Sequence, residues 1–285
     1  MTIKPQAQGG LARELRGSYA FIERNMHLIK RYWAWEVVWL VYAIVNALSI
    51  TFIGKAAENI TGTVISAEAT HTFILYLMIG TLVWHYLAVV FDMVSESIQW
   101  ERWEGTIEYT FMAPISRITH LLGQSAFAVF FGALHTVIIL GIVTVFFTID
   151  LSQANVISVI TLLVLGSLGF IGLGLMAAVL PLLWPEKGVQ MTSIIKATIL
   201  LVSGIYYPIS VLPEWLQPLA YLSPATYMLE GMRAAMLDNA SVAELLVPTF
   251  IPLVLTAAVA IPLGFAVFGQ AEAYAKRAGL LKRNG

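Results

Sequence analysis

Cysteine is absent from this chain, which closes off disulfides, thiolate zinc sites and a cysteine nucleophile at once. Charge is nearly as scarce. Asp, Glu, Lys and Arg make up 12% of the 285 residues, where a soluble domain carries about a quarter. The balance is close to neutral, at −1, so no bulk field attracts nucleic acid and none is expected as a partner. The phosphate-cradling pattern G-x-x-x-x-G-K-[ST] is missing, as is H-E-x-x-H. No two of His27, His71, His85, His120 and His135 stand at i, i+3 or i+4. Any ATP hydrolysis would then have to come from a partner, and this chain is expected to bind no metal or cofactor of its own. A membrane-embedded lipid phosphatase or acyltransferase needs converging His, Asp or Arg residues at one interface, and the pattern offers none. The first thirty residues are polar and mixed in charge, without the apolar core and small-residue cleavage site of a signal peptide.

What is abundant is apolar surface: 59% of the chain is hydrophobic. A helix crossing a ~30 Å hydrocarbon core needs about 20 largely apolar residues. Six stretches qualify, roughly 34–54, 73–95, 119–148, 156–180, 190–211 and 246–269. The ~10-residue alternating segments of a closed β-barrel are not visible. The expected fold is therefore an all-α integral membrane protein with six transmembrane helices. Residues 34–269 form its membrane domain, between tails at 1–33 and 270–285.

The basic residues orient it. The N-terminal tail holds Lys4, Arg13, Arg16, Arg24, Lys30 and Arg31. Arg102 and Arg117 follow span two, Lys187 and Lys196 surround the start of span five, and Lys276, Arg277, Lys282 and Arg283 close the chain. Of the sixteen, only Lys55 and Arg233 fall on the other side. Lys and Arg mark the cytoplasmic face, so both termini are expected inside a plasma (cytoplasmic) membrane. Leu15, Tyr19, Ile22, Met26 and Ile29 recur at helical spacing with charges between them. That predicts an amphipathic helix over Leu11–Tyr32 lying in the interface, in contact with membrane lipids. Trp33, Trp35 and Trp39 form an aromatic belt where span one begins, and Glu36 among them reaches toward the headgroups.

Between spans two and three sits a charged island, residues 95–117. From Phe73 to Val94 only Asp92 is charged, and Ile118–Ile149 contains no Asp, Glu, Lys or Arg. Read as one helix over about 98–115, the island puts Glu101, Glu104 and Glu108 on one stripe and Trp103, Ile107 and Phe111 on the next. Gly105 leaves room for another backbone, and Pro114 stops the helix before Arg117. Such a pattern suits either docking into a partner's cleft or an interfacial helix with its acids solvated.

The island resembles one family. Glu101-Arg102-x-x-Gly105-Thr106-x-Glu108, followed by Pro114-x-Ser116-Arg117, is similar to the connection between spans two and three of ABC-2 type transporter permeases, with Trp103 where a charged residue is more usual. Gly204-Ile-Tyr-Tyr207-Pro208, Leu212-Pro213-x-Trp215-Leu216, Ser223-Pro224-x-x-Tyr227 and Arg233 resemble the same family around span five and the loop after it. The resemblance implies that the island is a coupling helix seated on an ATP-binding subunit, through Glu101, Arg102, Glu104, Gly105, Thr106, Glu108, Pro114 and Arg117. It implies short re-entrant helices over about 208–237 that close the external exit, involving Tyr207, Pro208, Pro213, Trp215, Pro224, Tyr227 and Arg233. It further implies two ATP-binding subunits holding ATP and Mg, and a second permease chain, as a homodimer or heterodimer.

The function so implied is ATP-driven export of an amphipathic or lipid-like substrate, as in multidrug efflux. Export of a glycan or teichoic-acid polymer is the alternative on the same fold, and a non-transporting scaffold is the alternative from another class. Smaller features read structurally. The run Gly166-x-x-Gly169-x-x-Gly172-x-Gly174 and the pair Ala128 and Gly132 permit close helix packing. His85 and His135 lie within spans and are each expected to face a neighbouring helix. Asp92 and Glu96 stand near the height of Lys187 and Lys196, where a pairing would gate or stabilise. Glu230 and Arg233, at i and i+3, are placed to pair.

Overall fold

The computed structural model describes residues 10–61, 67–147, 152 and 154–281. Lys4, Lys282 and Arg283 of the basic tails lie outside them. The described residues are mostly helical, with no strand among them. The N-terminal helix α1 (Gly10–Arg31) turns at Tyr32 into α2 (Trp33–Thr61). Then come α3 (Ala67–Ser95), α4 (Ser97–Trp103), α5 (Ile107–Met112) and α6 (Arg117–Phe146). After them run α7 (Val156–Ala177), α8 (Val179–Leu183), α9 (Gly188–Val202), α10 (Gln217–Ala220), α11 (Pro224–Leu237), α12 (Val242–Leu245) and α13 (Ile251–Arg277).

Local chemistry sets several of these boundaries. Ser116 and Asn155 accept from Thr119 N and Ser158 N at the starts of α6 and α7. Ser241 and Glu244 form a reciprocal capping box ahead of α12. A single π turn at Leu246–Phe250 joins α12 to α13.

Among the described residues five helices are long and apolar enough to cross a membrane: Trp33–Ala56, Ala69–Ser95, Arg117–Phe146, Val156–Leu183 and Val242–Arg277. The sixth expected span differs. Instead of one helix over 190–211 there is the 15-residue α9, which at 1.5 Å per residue reaches only ~22 Å. Gly204, with φ of 69°, and then Pro208 end it. The island differs as well. The single helix expected over 98–115 is two short ones, broken at Gly105, whose φ of 71° a side-chain-bearing residue adopts only with strain.

α3 is the most buried span and α2 the least. α3 packs against α2, α6 and α7, and α13 lies along α7. That last contact depends on missing side chains. A Cβ on Gly172 of α7 would stand 2.6 Å from Ala260 of α13, and one on Gly264 would stand 2.8 Å from the Gly172 carbonyl. Between spans with no water to expel, such close backbone approach supplies the dispersion contact that holds them together. α1 folds back onto the first turns of α6.

Candidate functional site

Four segments that the charge pattern assigns to one side converge on α4. Arg102 is 1% exposed and donates to the carbonyls of Pro181 (2.6 Å) and Leu182 (2.8 Å) in α8 and of Leu280 (2.9 Å) beyond α13. Glu101 is fully buried. It accepts from Arg24 of α1 at 3.0 Å, while His120 Nε2 of α6 lies 2.9 Å from the same carboxylate oxygen. Burial pushes the Glu101 carboxyl up, but His120 and Arg24 together hold it below its ordinary value. The other Arg24 nitrogen donates to Thr106 at 2.9 Å. Arg117 grips Glu272 of α13 with two bonds of 3.1 Å and lies 4.0 Å over the Phe111 ring. The node thus fastens the island to α1, α6, α8 and α13.

This revises the acidic stripe. Glu101 and Arg102 point into the chain, and Glu104 is paired with Arg31 at 3.3 Å and largely covered. The break at Gly105 leaves Glu108 on a separate helix, exposed with Tyr109 (78%) and Met112 (84%). Ile107 and Phe111, from the expected aromatic stripe, are buried, while Trp103 is exposed. Pro114 is exposed at the turn into α6.

Above the node, Lys196 of α9 donates to both oxygens of Asp92 in α3, at 2.8 and 2.5 Å. Glu96, one turn on, has no ion pair among the described residues. Its carboxyl is pushed up to about 7 by burial and by Asp92, with Lys196 opposing. Lys187 instead precedes the first turn of α9. His85 and His135, each expected to face a neighbouring helix, face each other as stacked rings 6.2 Å apart. Helical spacing on either chain segment alone holds no signal for that meeting, because the two histidines come from α3 and α6.

The far site residues form a second cluster. Arg233 does not pair with Glu230. It donates to the Gly204 and Ile205 carbonyls, at 3.3 and 2.8 Å, and its guanidinium lies 3.5 Å over the Tyr76 ring. A Cβ on Gly80 in α3 would collide with the Ile205 carbonyl, so the chain just past α9 approaches α3 only because that side chain is missing. Ser203 and Ser223 hydroxyls meet at 2.7 Å and close the segment between them. Within it, Pro208 precedes a single 3-10 turn, Pro213 starts a tight turn, Trp215 is 74% exposed, and Tyr207 donates to Leu201. α11 then starts with Pro224 against Gly169 of α7 and ends where Asn155 N donates to Ala235. Tyr227 donates to Tyr221.

The family model for the ABC-2 type transporter matches residues 18–237 of the chain. Among curated proteins none matches it. The matched range takes in the second cluster and most of the node, from Arg24 to Arg233, while the Glu272 and Leu280 partners of the node lie beyond it.

Proposed function

This chain belongs to the ABC-2 type transporter family, and from that premise we propose that it is the permease half of an ATP-driven exporter. As a family member it is a multi-pass transmembrane transporter subunit rather than a catalytic chain. In the proposed complex two copies, or one copy and a related chain, meet two ATP-binding subunits that hold ATP and Mg. Both termini and the island face the cytoplasm across the plasma membrane, and α9 with α11 makes a sixth, broken crossing. α1 lies in the interface. The substrate is amphipathic or lipid-like, moved from the cytoplasm or inner leaflet outward.

One observation carries this reading. The island is anchored on one face and bare on the other. Glu101, Arg102 and Arg117 tie it to four helices, while Trp103, Glu108, Tyr109 and Met112 are exposed around a kink. Exposed aromatic and Met side chains on a firmly held turn fit a protein cleft, because burying them on a partner gains apolar contact while the backbone is already ordered. A push on that face reaches the spans through charge-assisted hydrogen bonds rather than through a loose loop.

The test is co-purification with an ATP-binding subunit. Glu108→Lys combined with Tyr109→Ala should abolish the complex and substrate-stimulated ATP hydrolysis while the permease still melts within a few degrees of the parent. An intact complex with unchanged turnover would overturn the docking assignment.

A further inference from the structure

A cavity of about 1030 Å³ opens between α2, α3, α6 and α9, reaching from α1 and α4 to Thr81 and Tyr206. Its wall is built of rings: Trp35, Trp39 and Tyr42 from α2, Trp84 from α3, Phe127 and Phe131 from α6. Trp35 and Trp39 meet edge to face at 6.1 Å, as do Trp39 and Tyr42. The stacked His85 and His135 line it from α3 and α6, with Phe131 centred 4.1 Å from His135.

The charge lining this space is one-sided. Two cations reach it, Arg24 and Lys196, against the carboxylates of Glu36, Asp92, Glu96 and Glu101. Arg24 is committed to Glu101 and Lys196 to Asp92. Glu36 and Glu96, on different helices, have no ion-pair partner among the described residues. Leaving two carboxylates unanswered in an apolar, aromatic chamber costs stability unless a cation completes it. Indole faces attract the same charge through their quadrupole.

We propose that this cavity binds a hydrophobic aromatic organic cation, its rings against Trp35, Trp39 and Trp84 and its positive charge answered by Glu36 and Glu96. The inference rests on the transporter reading and narrows its substrate class. Anions of the same shape are rejected by the same two carboxylates. Burial near Asp92 keeps part of the Glu96 population protonated at neutral pH, so cation binding should strengthen from pH 6 to pH 8. His85 and His135 also face the cavity, as do Asp92, Lys196, Arg24 and Glu101. Protonated histidines would change affinity in the same direction, so the Glu96→Gln variant is needed to isolate the carboxylate.

Tetraphenylphosphonium and tetraphenylborate are near-identical in shape and opposite in charge, and equilibrium dialysis against the full chain in detergent, corrected for empty micelles, separates them. The phosphonium should bind saturably and at least roughly tenfold tighter than the borate. Glu96→Gln and Glu36→Gln should each weaken the phosphonium by roughly tenfold and narrow that ratio, and Glu96→Gln should flatten the pH dependence. Equal binding of the two ions, or unchanged affinity in both variants, overturns the proposal. If one variant fails to elute as a folded protein, the other carries the test. Charge-blind binding by a chain that still co-purifies with an ATPase removes the cation site alone. Charge-selective binding by a chain that never binds an ATPase keeps the site and removes the exporter reading.

Discussion

At the scale of single residues, Arg102 has the clearest physical logic. A buried guanidinium ordinarily needs a carboxylate, and Arg102 has none in contact among the described residues. Its three acceptors are carbonyls at the end of α8 and just past α13. The last carbonyls of a helix lack partners and carry the negative end of its dipole, so one planar cation satisfies two helix ends together. Arg102→Met should cost about 3 kcal/mol, because it strands three buried acceptors. Arg102→Lys should recover only part, since an ammonium cannot fork. Thermal unfolding in detergent reads both, and a melt equal to the parent's would refute the capping role. Glu96 makes the opposite case. Its folded-state pKa, near 7, lies above the ordinary carboxylate value. A group so raised contributes stability below about pH 4.5, and that contribution is lost as pH rises through 7. Glu96→Gln should therefore leave stability at pH 4 nearly unchanged and raise it by on the order of 1 to 3 kcal/mol at pH 8. A side chain whose removal stabilises the fold and weakens cation binding is kept for its ligand.

At the scale of elements, α7 and α13 offer the sharpest test. Gly172→Leu should separate the two helices, because its side chain would occupy the Ala260 backbone, and a loss of about 3 kcal/mol or failure to insert is expected. Ala260→Gly should leave stability within about 1 kcal/mol, by the small helix penalty alone. The glycine run that makes this contact was legible as a packing face from its spacing. So were the five long spans, since length and hydropathy are local quantities. The turn at Gly105 was readable only as a small spot, because whether glycine relieves crowding or takes positive φ depends on what the chain does next. The identity of the exposed face was not readable. By spacing Glu101 belongs to an outward-facing acidic stripe, docked or solvated, whereas its partners, Arg24 and His120, are 77 and 19 positions away in sequence. The end of α9 is hidden for a related reason: the apolar run continues past Val202, and the Gly204 conformation and the Pro208 ring stop the helix.

At the scale of the whole molecule, the two clusters tie different sets of helices together, and the proposed transport cycle needs one set to shift against the other. The node ties α1, the island, α6, α8 and the end of α13, so displacement of α5 reaches all of them. α9 joins this body through its connection to α8 and through the Asp92–Lys196 pair to α3. Being short and interrupted, it is the helix best placed to change its angle. If the pair is a gate, transport requires α9 to part from α3 during each cycle. The chain supplies its own background for testing this, because it contains no cysteine. Asp92→Cys with Lys196→Cys, bridged by a short bis-thiol reagent, should abolish transport and substrate-stimulated ATP hydrolysis while leaving ATPase binding intact, and reversal of a cleavable bridge should restore both. The unbridged double variant serves as the control for loss of the ion pair itself. Full turnover with the bridge in place would make the pair a static brace, and would move the hinge from α9 to the α11 side of Ser203 and Ser223, where the second cluster takes over.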